Sequence, residues 1–431
     1  MLSVVGLSHR TAPLRVRERL AFSERDLPAT LSAITGLDGV RESLVLSTCN
    51  RTEVYLVASE RPPVTGVLEL LGRSHSFPPQ EFRSYVRVLE GEAAARHALR
   101  VASGLESLIV GEAQILGQVR RAYGGARTVR AAGPVLNRLM QVAIGCGRRV
   151  RTETDLGRRT VSIPHAAAAL VQRTLGLGGR RVVIVGAGEM AVLVAKVFSQ
   201  GGATITAVAN RSVENARVLA ARHGARSAGL PELPALLVDA EVVVVSTAAA
   251  TPVVTRDILG AAGGRDGSLL VIDIGVPRGV AAGAATLPGV TLYDLDALAP
   301  IDAPAAESAS APTAVPAEGT ADVRQAEDIV EEALEAFVRW LASRAAVPVI
   351  AALHQRAERI VEDELERARS RLSRLDERER RAVRGVVEGA LRKLLHGPFV
   401  RLRARGGDER AIELARELFD LNGEAVSQRD E

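Results

Sequence analysis

A thiol stands beside an arginine in the stretch LSTCNRTEVY, residues 46–55. Cys49 is one of only two cysteines in the 431 residues, and it lies between polar neighbours, Thr48 and Asn50. A guanidinium next to a thiol can lower the thiol pKa and yield a nucleophilic thiolate. We therefore expect Cys49 to be a nucleophile with a lowered pKa, and the alternative is a buried packing role. Cys146, among small and apolar residues, is expected to be a packing residue.

A second chemical signal is RVVIVGAGEMAVLVAKVF at residues 181–198. An apolar strand runs into a G-x-G-x-x-A turn and then into a helix. The first glycine permits the tight turn, the second lets the backbone approach a pyrophosphate, and the small last residue lets helix and strand pack closely. The predicted dinucleotide contacts are Gly186, Ala187, Gly188, Glu189, Met190 and Ala191.

The end of the next strand distinguishes between the two nicotinamide cofactors. An NAD site usually places an acidic residue there to bind the ribose 2′-hydroxyl. This chain has Asn210-Arg211-Ser212 instead. The pattern favours a 2′-phosphate and hence NADPH, against the alternative of an ordinary surface arginine. Ser246, Thr247 and Gly275 end later strands and are predicted to line the same site.

A thiolate and a hydride donor together have the chemistry of thioester reduction. An activated acyl group moves to sulfur, and hydride then releases an aldehyde. More polar residues follow in HALRVASGLESLIVGEAQILGQV, residues 97–119, and we expect this segment to line a site. His97 is either an acid/base group there or an ordinary helix residue.

Bulk composition limits the class of protein. The length predicts two to four domains, and the charged residues in the first 30 positions argue against a signal peptide. No apolar run reaches the roughly 18–20 residues of a membrane span. Two cysteines fit a reducing cytosol, so we expect a cytoplasmic protein without membrane association. No Cys/His cluster is spaced as a zinc site, and no metal is expected.

The spacing of apolar residues and the composition of the segments predict an α/β multidomain protein. Residues 1–58 alternate short apolar runs with a helix-like stretch and indicate a small α+β unit. Residues 91–157 look helical, with a helix expected from Pro134, and residues 1–157 together are the expected N-terminal catalytic domain. Residues 158–300 alternate strands and helices as a doubly wound Rossmann-like domain, with strands at 182–185, 204–209, 242–246 and 269–274. Residues 301–321 have the composition of a flexible linker. Residues 322–431 are helical, charge-dense and expected to pair with a second chain.

Two regions of the chain are basic. Residues 1–160 carry 23 Arg against 15 acidic residues, a net +8, and residues 367–405 carry 13 Arg plus Lys against 4, a net +9. Such regions suit an extended polyanion such as RNA, and they equally suit solvated arginine-rich helix faces.

These segments together resemble the glutamyl-tRNA reductases, which open the C5 route to tetrapyrroles. The resemblance rests on motifs in the family's order: GLSHRTAP, LSTCNRTEVY, ASGLESLIVGEAQILGQV, VGAGEMA, IDIGVPR at 272–278 and a late GPFVRLR at 397–403. It covers residues 1–300 well and the helical region more loosely.

The resemblance implies a role for each matching residue. Cys49 would attack the aminoacyl ester of glutamyl-tRNA, and His97 would assist as an acid/base. Arg51 would grip the glutamyl carboxylate, as a charge-assisted and bidentate partner, and Glu112 would face the amino group. NADPH would then reduce the thioester to glutamate-1-semialdehyde. The implied substrate-binding residues are Thr48, Arg51, Glu106, Ser107, Glu112, Gln114 and Gln118.

The resemblance also implies an assembly. A long helix would join the catalytic and NADPH domains to a C-terminal dimerisation domain, giving a V-shaped homodimer with tRNA inside the V. The basic stretch 367–405 would contact the tRNA. The labile aldehyde would pass to glutamate-1-semialdehyde aminomutase in a transient complex.

Two other functions remain open at this stage. A shikimate-dehydrogenase-like enzyme acting on a small alcohol or ketone would explain the dinucleotide domain but would leave LSTCNRTEVY without a function. A non-catalytic NADP-binding scaffold for tRNA would require an unreactive Cys49.

We predict that Cys49→Ser abolishes reduction while tRNA binding survives, because the hydroxyl is a far weaker nucleophile than a thiolate. Cys146→Ser is the matched control and should retain most activity. Turnover with glutamyl-tRNA and filter binding of the tRNA measure the two properties. Full activity in Cys49→Ser would contradict the thioester mechanism.

Overall fold

A computed structural model gives the fold and describes residues 1–112, 114–157, 162–247, 249, 251–261, 268–298, 321–344, 346–404 and 408–421. The chain divides into two compact units, Met1–Ala333 and Leu334–Glu431. The predicted linker at 301–321 lies outside the described residues except for Ala321. The predicted domain boundary at 157/158 also adjoins residues outside the description, so the domain limits stay predictions.

The first unit begins with a four-stranded antiparallel sheet of order β2-β3-β1-β4. Its strands are β1 Leu2–Ser8, β2 Val40–Ser47, β3 Arg51–Ala58 and β4 Arg87–Glu90. Strands β2 and β3 pair from Ser47–Thr52 to Val40–Ala58, so only residues 48–50 separate them. Cys49 therefore lies in the short loop of a hairpin, and the buried apolar residues of β2 and β3 hold that loop in register.

Seven helices accompany this sheet: α1 Leu14–Arg17, α2 Leu27–Thr35, α3 Val64–Ser74, α4 Pro79–Phe82, α5 Gly91–Ala102, α6 Gln114–Thr128 and α7 Pro134–Glu153. The predicted start of a helix at Pro134 is confirmed. Helices α5 and α7 pack against each other, and Cys146 on α7 is buried there with its Sγ 3.4 Å from Ser103 Oγ. The packing role of Cys146 agrees with this position.

The second part of this unit is a six-stranded parallel sheet of order β10-β9-β8-β5-β6-β7. Its strands are β5 Arg181–Val185, β6 Thr204–Asn210, β7 Arg226–Gly229, β8 Val242–Val245, β9 Leu269–Asp273 and β10 Val290–Tyr293. The helices are α8 Ile163–Leu175, α9 Glu189–Gln200, α10 Val213–Ala221, α11 Leu233–Leu237 and α12 Arg256–Ala261. The doubly wound fold is confirmed. The strand order reverses at β5, where such folds bind ligands.

Alternate residues of the central strand β5 enter two cores. Val182 and Ile184 belong to one apolar cluster, whereas Val183 and Val185 belong to another. The first cluster also contains Leu14 and Leu108 from the N-terminal part. One face of the parallel sheet is therefore packed against the part of the unit that carries Cys49.

The remaining helices are α13 Ala321–Ser343, α14 Ala346–Arg367, α15 Arg369–Leu372, α16 Glu377–Ala404 and α17 Glu409–Leu418. Helix α13 begins in the first unit, where Glu327 pairs with Arg100 and Glu331 pairs with Arg96, and it continues past Ala333 into the second unit. The C-terminal unit is helical, as predicted. By length and composition alone, a stretch within residues 321–367 is apolar enough to cross a membrane, which helices of soluble proteins also satisfy.

The N-terminus of α7 is held by a buried carboxylate. Glu42 on β2 accepts hydrogen bonds from Val135 N at 3.0 Å and Leu136 N at 2.7 Å. A Cβ on Gly133 would lie 2.6 Å from the Glu42 carboxyl carbon, so only glycine permits this approach. The carboxylate satisfies two N–H groups that the helix leaves without partners and complements the helix dipole.

We predict that Glu42→Ala lowers the free energy of unfolding by about 2–3 kcal/mol, because two buried N–H groups lose their acceptor. Glu42→Gln should cost less, since the amide oxygen still accepts one bond. Urea titration measures both. The control is Glu92→Ala, which removes an exposed i,i+4 pair with Arg96 and should cost about 0.5 kcal/mol or less. Equal costs for Glu42→Ala and Glu92→Ala would contradict the capping role.

Candidate active site

The Cys49 loop is closed by its own backbone and by a buried arginine. Thr48 N donates to Arg51 O at 2.8 Å, and Thr48 Oγ1 accepts from Asn50 N at 3.1 Å. Arg17, which is 2% exposed, donates through Nη1 to Cys49 O at 2.8 Å and to Asn50 Oδ1 at 3.2 Å. The backbone of the Cys49 loop is therefore held by a side chain 32 residues earlier in the chain.

The arginine beside the thiol belongs to a buried ion network on one face of β3. Arg51 Nη1 donates to Glu53 Oε1 at 2.9 Å, and Tyr55 OH donates to Glu53 Oε2 at 2.7 Å. His97 Nε2 lies 2.9 Å from the same Glu53 Oε1. Burial works to raise the pKa of Glu53, but Arg51, His97 and the hydrogen bonds outweigh it and lower that pKa to about 2. Glu53 is thus a permanent anion.

This network uses part of the hydrogen-bonding capacity of Arg51. Its Nη2 donates to the Glu106 backbone oxygen, and its Nη1 donates to Glu53. Its Nε is buried and has no hydrogen-bond partner among the described residues. Nε is therefore a donor available to a ligand, and the predicted contact with the glutamyl carboxylate stays a prediction.

The predicted lowering of the Cys49 pKa is wrong for this arrangement. Burial, followed by the charge of Glu112, raises the pKa of the Cys49 thiol to about 12, and the opposing effects of Arg17 and Arg51 are smaller. The physical reason is desolvation, which disfavours the thiolate more than the nearby guanidiniums favour it. At neutral pH the resting residue is therefore a thiol.

The predicted site residues in the segment after α5 differ in burial and in hydrogen-bond partners. Glu106 accepts from Arg100 Nε at 2.7 Å and pairs with Arg10 at 3.4 Å. Burial works to raise the Glu106 pKa, but the Arg100 hydrogen bond and the charges of Arg10 and Arg100 lower it. Ser107 and Glu112 are buried, whereas Gln114 and Gln118 are half-buried on the first turns of α6. Burial raises the pKa of Glu112 to about 7.

Several polar atoms around the loop lack partners among the described residues. Besides Arg51 Nε, they include Ser107 Oγ and His9 Nδ1. His9 N donates to Asn50 O at 2.8 Å, and burial together with Arg51 lowers the His9 pKa to about 3, so its ring is neutral. Buried polar groups are normally paired, so unpaired atoms from several segments indicate a place for a polar ligand.

His97 belongs to the same buried network as Arg51. Its described hydrogen bond is with Glu53, and Glu53 in turn accepts from Arg51. An acid/base role for His97 stays a prediction. No group of His, Cys, Asp or Glu suited to a metal occurs among the residues that the structure describes.

A cavity of about 780 Å³ opens at the carboxyl ends of the parallel strands. All of the predicted cofactor residues except Ala191 line it; Ala191 is buried inside α9. The predicted residues that line it are Gly186, Ala187, Gly188, Glu189, Met190, Asn210, Arg211, Ser212, Ser246, Thr247 and Gly275. Ile274, beside Gly275, also lines it, and unpredicted lining residues include Asn215, Thr251, Val253 and Val276. The cavity thus coincides with the topological switch point.

The backbone of this cavity fits a dinucleotide. Gly186 has φ +120°, and a Cβ there would lie 2.1 Å from Ser246 O. Gly188 precedes α9 in open space, so a phosphate can reach the helix N-terminus. Thr247 Oγ1 is buried without a hydrogen-bond partner among the described residues. The unpaired hydroxyl of Thr247 and the open space at Gly188 both fit a bound cofactor.

The proposed 2′-phosphate contacts lie at the end of β6. Ser212 caps α10, and Asn210 Nδ2 donates to Ser212 O at 3.1 Å. Arg211 is exposed at the cavity wall. The Asp273 carboxylate accepts hydrogen bonds from Gly275 N and Val280 N and so holds the loop that follows β9.

The thiol and the cofactor cavity meet in one apolar cluster. Cys49 packs against the core that includes residues of both parts of the unit, as do Met190 and Val276 from the cavity wall. Arg17 Nη2 also pairs with Asp296, which lies in the cofactor part. The Cys49 loop is therefore joined, through this ion pair and this apolar cluster, to the part of the unit that carries the cofactor cavity.

Glu53, Tyr55, Arg17 and His9 were not predicted as site residues. The signal for the first two was present, because Arg51, Glu53 and Tyr55 alternate and must share one strand face. Arg17 and Asp296 are 279 residues apart, and no local pattern connects them.

A dinucleotide-shaped cavity at the switch point of a doubly wound sheet, joined to an α+β part that carries a half-buried thiol, is typical of an oxidoreductase. Residues 5–154 match the family described as "Glutamyl-tRNAGlu reductase, N-terminal domain", residues 169–301 match "Shikimate / quinate 5-dehydrogenase", and residues 325–421 match "Glutamyl-tRNAGlu reductase, dimerisation domain". The match to residues 169–301 indicates a domain that binds a nicotinamide nucleotide.

Similar proteins cover nearly the whole chain. A protein of Chloroflexus aggregans named glutamyl-tRNA reductase is 39% identical over 97% of this chain and 95% of its own. Glutamyl-tRNA reductase 2 of Anaeromyxobacter dehalogenans is 40% identical over 99% and 93%. The solved glutamyl-tRNA reductase from Methanopyrus kandleri matches with a TM-score of 0.50 and 29% identity over 98% and 99%. The chain belongs to the glutamyl-tRNA reductase family.

We predict that Glu112→Gln increases the rate at which Cys49 is alkylated in the absence of substrate. Removing the negative charge lowers the thiol pKa, and each unit of lowering raises the thiolate fraction about tenfold at a fixed pH below the pKa. In the unchanged protein the rate should rise with pH throughout the alkaline range without a plateau. Stopped-flow or quenched alkylation measures it.

Glu106→Gln is the control, since the charge of Glu106 acts on His9, whereas Glu112 is the acidic residue among the main causes of the raised Cys49 pKa. Equal rates for Glu112→Gln and the unchanged protein, or an alkylation plateau near neutral pH, would contradict this electrostatic account.

Proposed function

We propose that the protein reduces glutamyl-tRNA to glutamate-1-semialdehyde with NADPH, through a thioester on Cys49, as the first step of the C5 tetrapyrrole route. The observation that supports the proposal is that Arg17 joins the Cys49 loop to Asp296, in the part of the unit that holds a cavity shaped for a dinucleotide, in a chain of this family. Cys49 also packs against the same apolar cluster as Met190 and Val276 of the cavity wall. A nucleophile and a hydride donor act on one carbonyl carbon, so the two parts must be held together.

The first step transfers the glutamyl group to the enzyme. Cys49 Sγ attacks the ester carbonyl carbon; a C–S bond forms, the C–O bond to the ribose breaks, and the thiol proton passes to the released ribose oxygen. His97 is the proposed acid/base group for this proton. Its described contact uses only Nε2, so Nδ1 remains for proton transfer.

Substrate binding itself would help to activate the thiol. Burial and, after it, the charge of Glu112 raise the pKa of Cys49, and we assign Glu112 to the α-ammonium group of the substrate. An ammonium bound there cancels that charge and lowers the thiol pKa when the ester arrives. The glutamyl side chain would be held by Arg51 Nε, Ser107 Oγ and Thr48. The wall of the substrate site would be completed by Glu106, Gln114 and Gln118.

A bound NADPH would supply the hydride that the thioester carbonyl carbon needs. As that carbon gains the hydride, its C–S bond would break, the sulfur would take up a proton, and the aldehyde would be released. Gly186 and Gly188 would hold the pyrophosphate, and Arg211 with Ser212 and Asn210 would hold the 2′-phosphate. No metal takes part in this proposal.

The wider assembly belongs to the same proposal. The protein would act as a cytoplasmic homodimer through its dimerisation domain, and basic residues within 367–405 would contact tRNA. The aldehyde would pass to glutamate-1-semialdehyde aminomutase in a transient complex. Strongly exposed apolar residues in the C-terminal unit, Val386, Leu394 and Leu418, support the dimer, since large apolar side chains are normally covered.

The function is tested by NADPH oxidation with glutamyl-tRNA, uncharged tRNA and free small alcohols or ketones as separate substrates. The proposal expects oxidation and aldehyde only with the charged tRNA. Turnover on a free alcohol or ketone without tRNA would support a small-molecule dehydrogenase instead. The family matches to residues 5–154 and 325–421 favour the tRNA substrate.

We predict that Arg211→Ala raises the KM for NADPH about tenfold or more and leaves the KM for NADH nearly unchanged. A charged hydrogen bond contributes about 1.5–3 kcal/mol, which corresponds to such a ratio. Arg217→Ala removes an exposed arginine on α10 and serves as the control. An equal loss with both cofactors would contradict recognition of the 2′-phosphate.

A further inference from the structure

Arg17 and Asp296 join the nucleophile loop to the cofactor domain. Arg17 holds Cys49 O and Asn50 Oδ1 with Nη1, donates to Ala12 O at 3.2 Å with Nε, and pairs with Asp296 through Nη2. All of its nitrogens are therefore used. A single guanidinium connects the backbone of the catalytic loop to a carboxylate in the other part of the unit.

Asp296 is itself fixed in the cofactor domain. It lies in the short 3₁₀ helix Leu295–Leu298 after β10, and Leu295 and Leu298 are buried in the shared core. Its N–H donates to Asp294 Oδ1 at 3.1 Å, and its second carboxylate oxygen accepts from Leu14 N at 3.0 Å. The carboxylate thus meets the N-terminal part at two points, Arg17 and the start of α1.

Arg17 is the buried member of this pair. Arg17 is 2% exposed, and Asp296, whose side chain is 39% exposed, is the carboxylate that neutralises it. A buried guanidinium that loses its counter-charge is strongly disfavoured. The position of the loop and the position of the cofactor part are therefore coupled, because one guanidinium binds both the Cys49 carbonyl and Asp296.

We propose that Arg17 and Asp296 are a positioning pair for the hydride-transfer step. The pair fixes the thioester carbonyl of Cys49 against the cofactor cavity and acts through the loop backbone without touching substrate. The inference rests on the proposed function, because it concerns the second half of that reaction. Transfer of the glutamyl group from tRNA to sulfur needs the thiol but not the cofactor domain, so the pair matters for discharge of the thioester and not for its formation.

The test separates the two half-reactions of the full-length protein. Labelled glutamyl-tRNA without NADPH gives the rate of adduct formation, and addition of NADPH to that adduct gives the rate of discharge. For Asp296→Asn we expect adduct formation within about twofold of the unchanged protein and discharge about ten- to a hundredfold slower, since small misplacements of reacting atoms have effects of this size. Asp296→Glu restores the charge and should recover much of the rate.

Glu241→Gln is the matched control. Glu241 also accepts a backbone N–H, that of Arg181, and pairs with an arginine, Arg180, but at the amino end of the sheet away from the cavity. It should leave both rates nearly unchanged. Glu18→Gln loosens a second contact between the same two parts, the Glu18–Arg278 pair at 2.7 Å, without touching the Cys49 loop, and should slow discharge less than Asp296→Asn.

The outcomes are distinct. Unchanged discharge in Asp296→Asn, or equal slowing of both half-reactions, would overturn the positioning role. An equal loss in Glu18→Gln would assign the effect to domain contact alone and would overturn the role of the loop. Failure of the unchanged protein to form any adduct would instead contradict the proposed function, so the two failures are distinguishable.

Discussion

Two arginines are buried on either side of one thiol loop, and the rest of the site depends on how their charges are compensated. Arg51 is 1% exposed and finds its counter-ion, Glu53, two residues along its own strand. Arg17 finds its counter-ion, Asp296, in the other part of the unit. The first pairing orders the catalytic sheet face, and the second ties that face to the cofactor domain. Buried charges without such partners would be strongly unfavourable.

This compensation also explains why Cys49 rests as a thiol. The guanidiniums that could stabilise a thiolate are already paired or hydrogen-bonded, and burial raises the thiol pKa to about 12. A resting thiol is a poor target for oxidation and for stray electrophiles, since the thiolate is the reactive form. The proposed pairing of the substrate ammonium with Glu112 would confine activation to the moment when the ester is bound.

The sequence predicted those features that depend on local pattern. The four central strands, the glycine turn at 186–188, the start of α7 at Pro134 and nearly all of the cofactor cavity were foreseen, because parallel strands and phosphate turns have local signatures. Strands β7 and β10 were missed because they are short edge strands of four residues each. The local alternation of Arg51, Glu53 and Tyr55 could have revealed the buried network, but it was not used.

Other features depend on contacts that no local pattern contains. The direction of the Cys49 pKa was wrong because desolvation depends on what the fold packs around the loop. The Arg17–Asp296 pair joins residues from opposite ends of the first unit. The position of His97 was likewise unpredictable, because its helix could present the ring to the thiol or, as found, to Glu53.

The most direct test of the account is to mix the protein with glutamyl-tRNA in the absence of NADPH, quench with acid and map the modified peptide by mass. The account predicts one hydroxylamine-sensitive glutamyl group on the peptide that contains Cys49, and its conversion to aldehyde when NADPH is added before the quench. Aldehyde production without any such adduct, or an adduct on the peptide that contains Cys146, would contradict the thioester on Cys49.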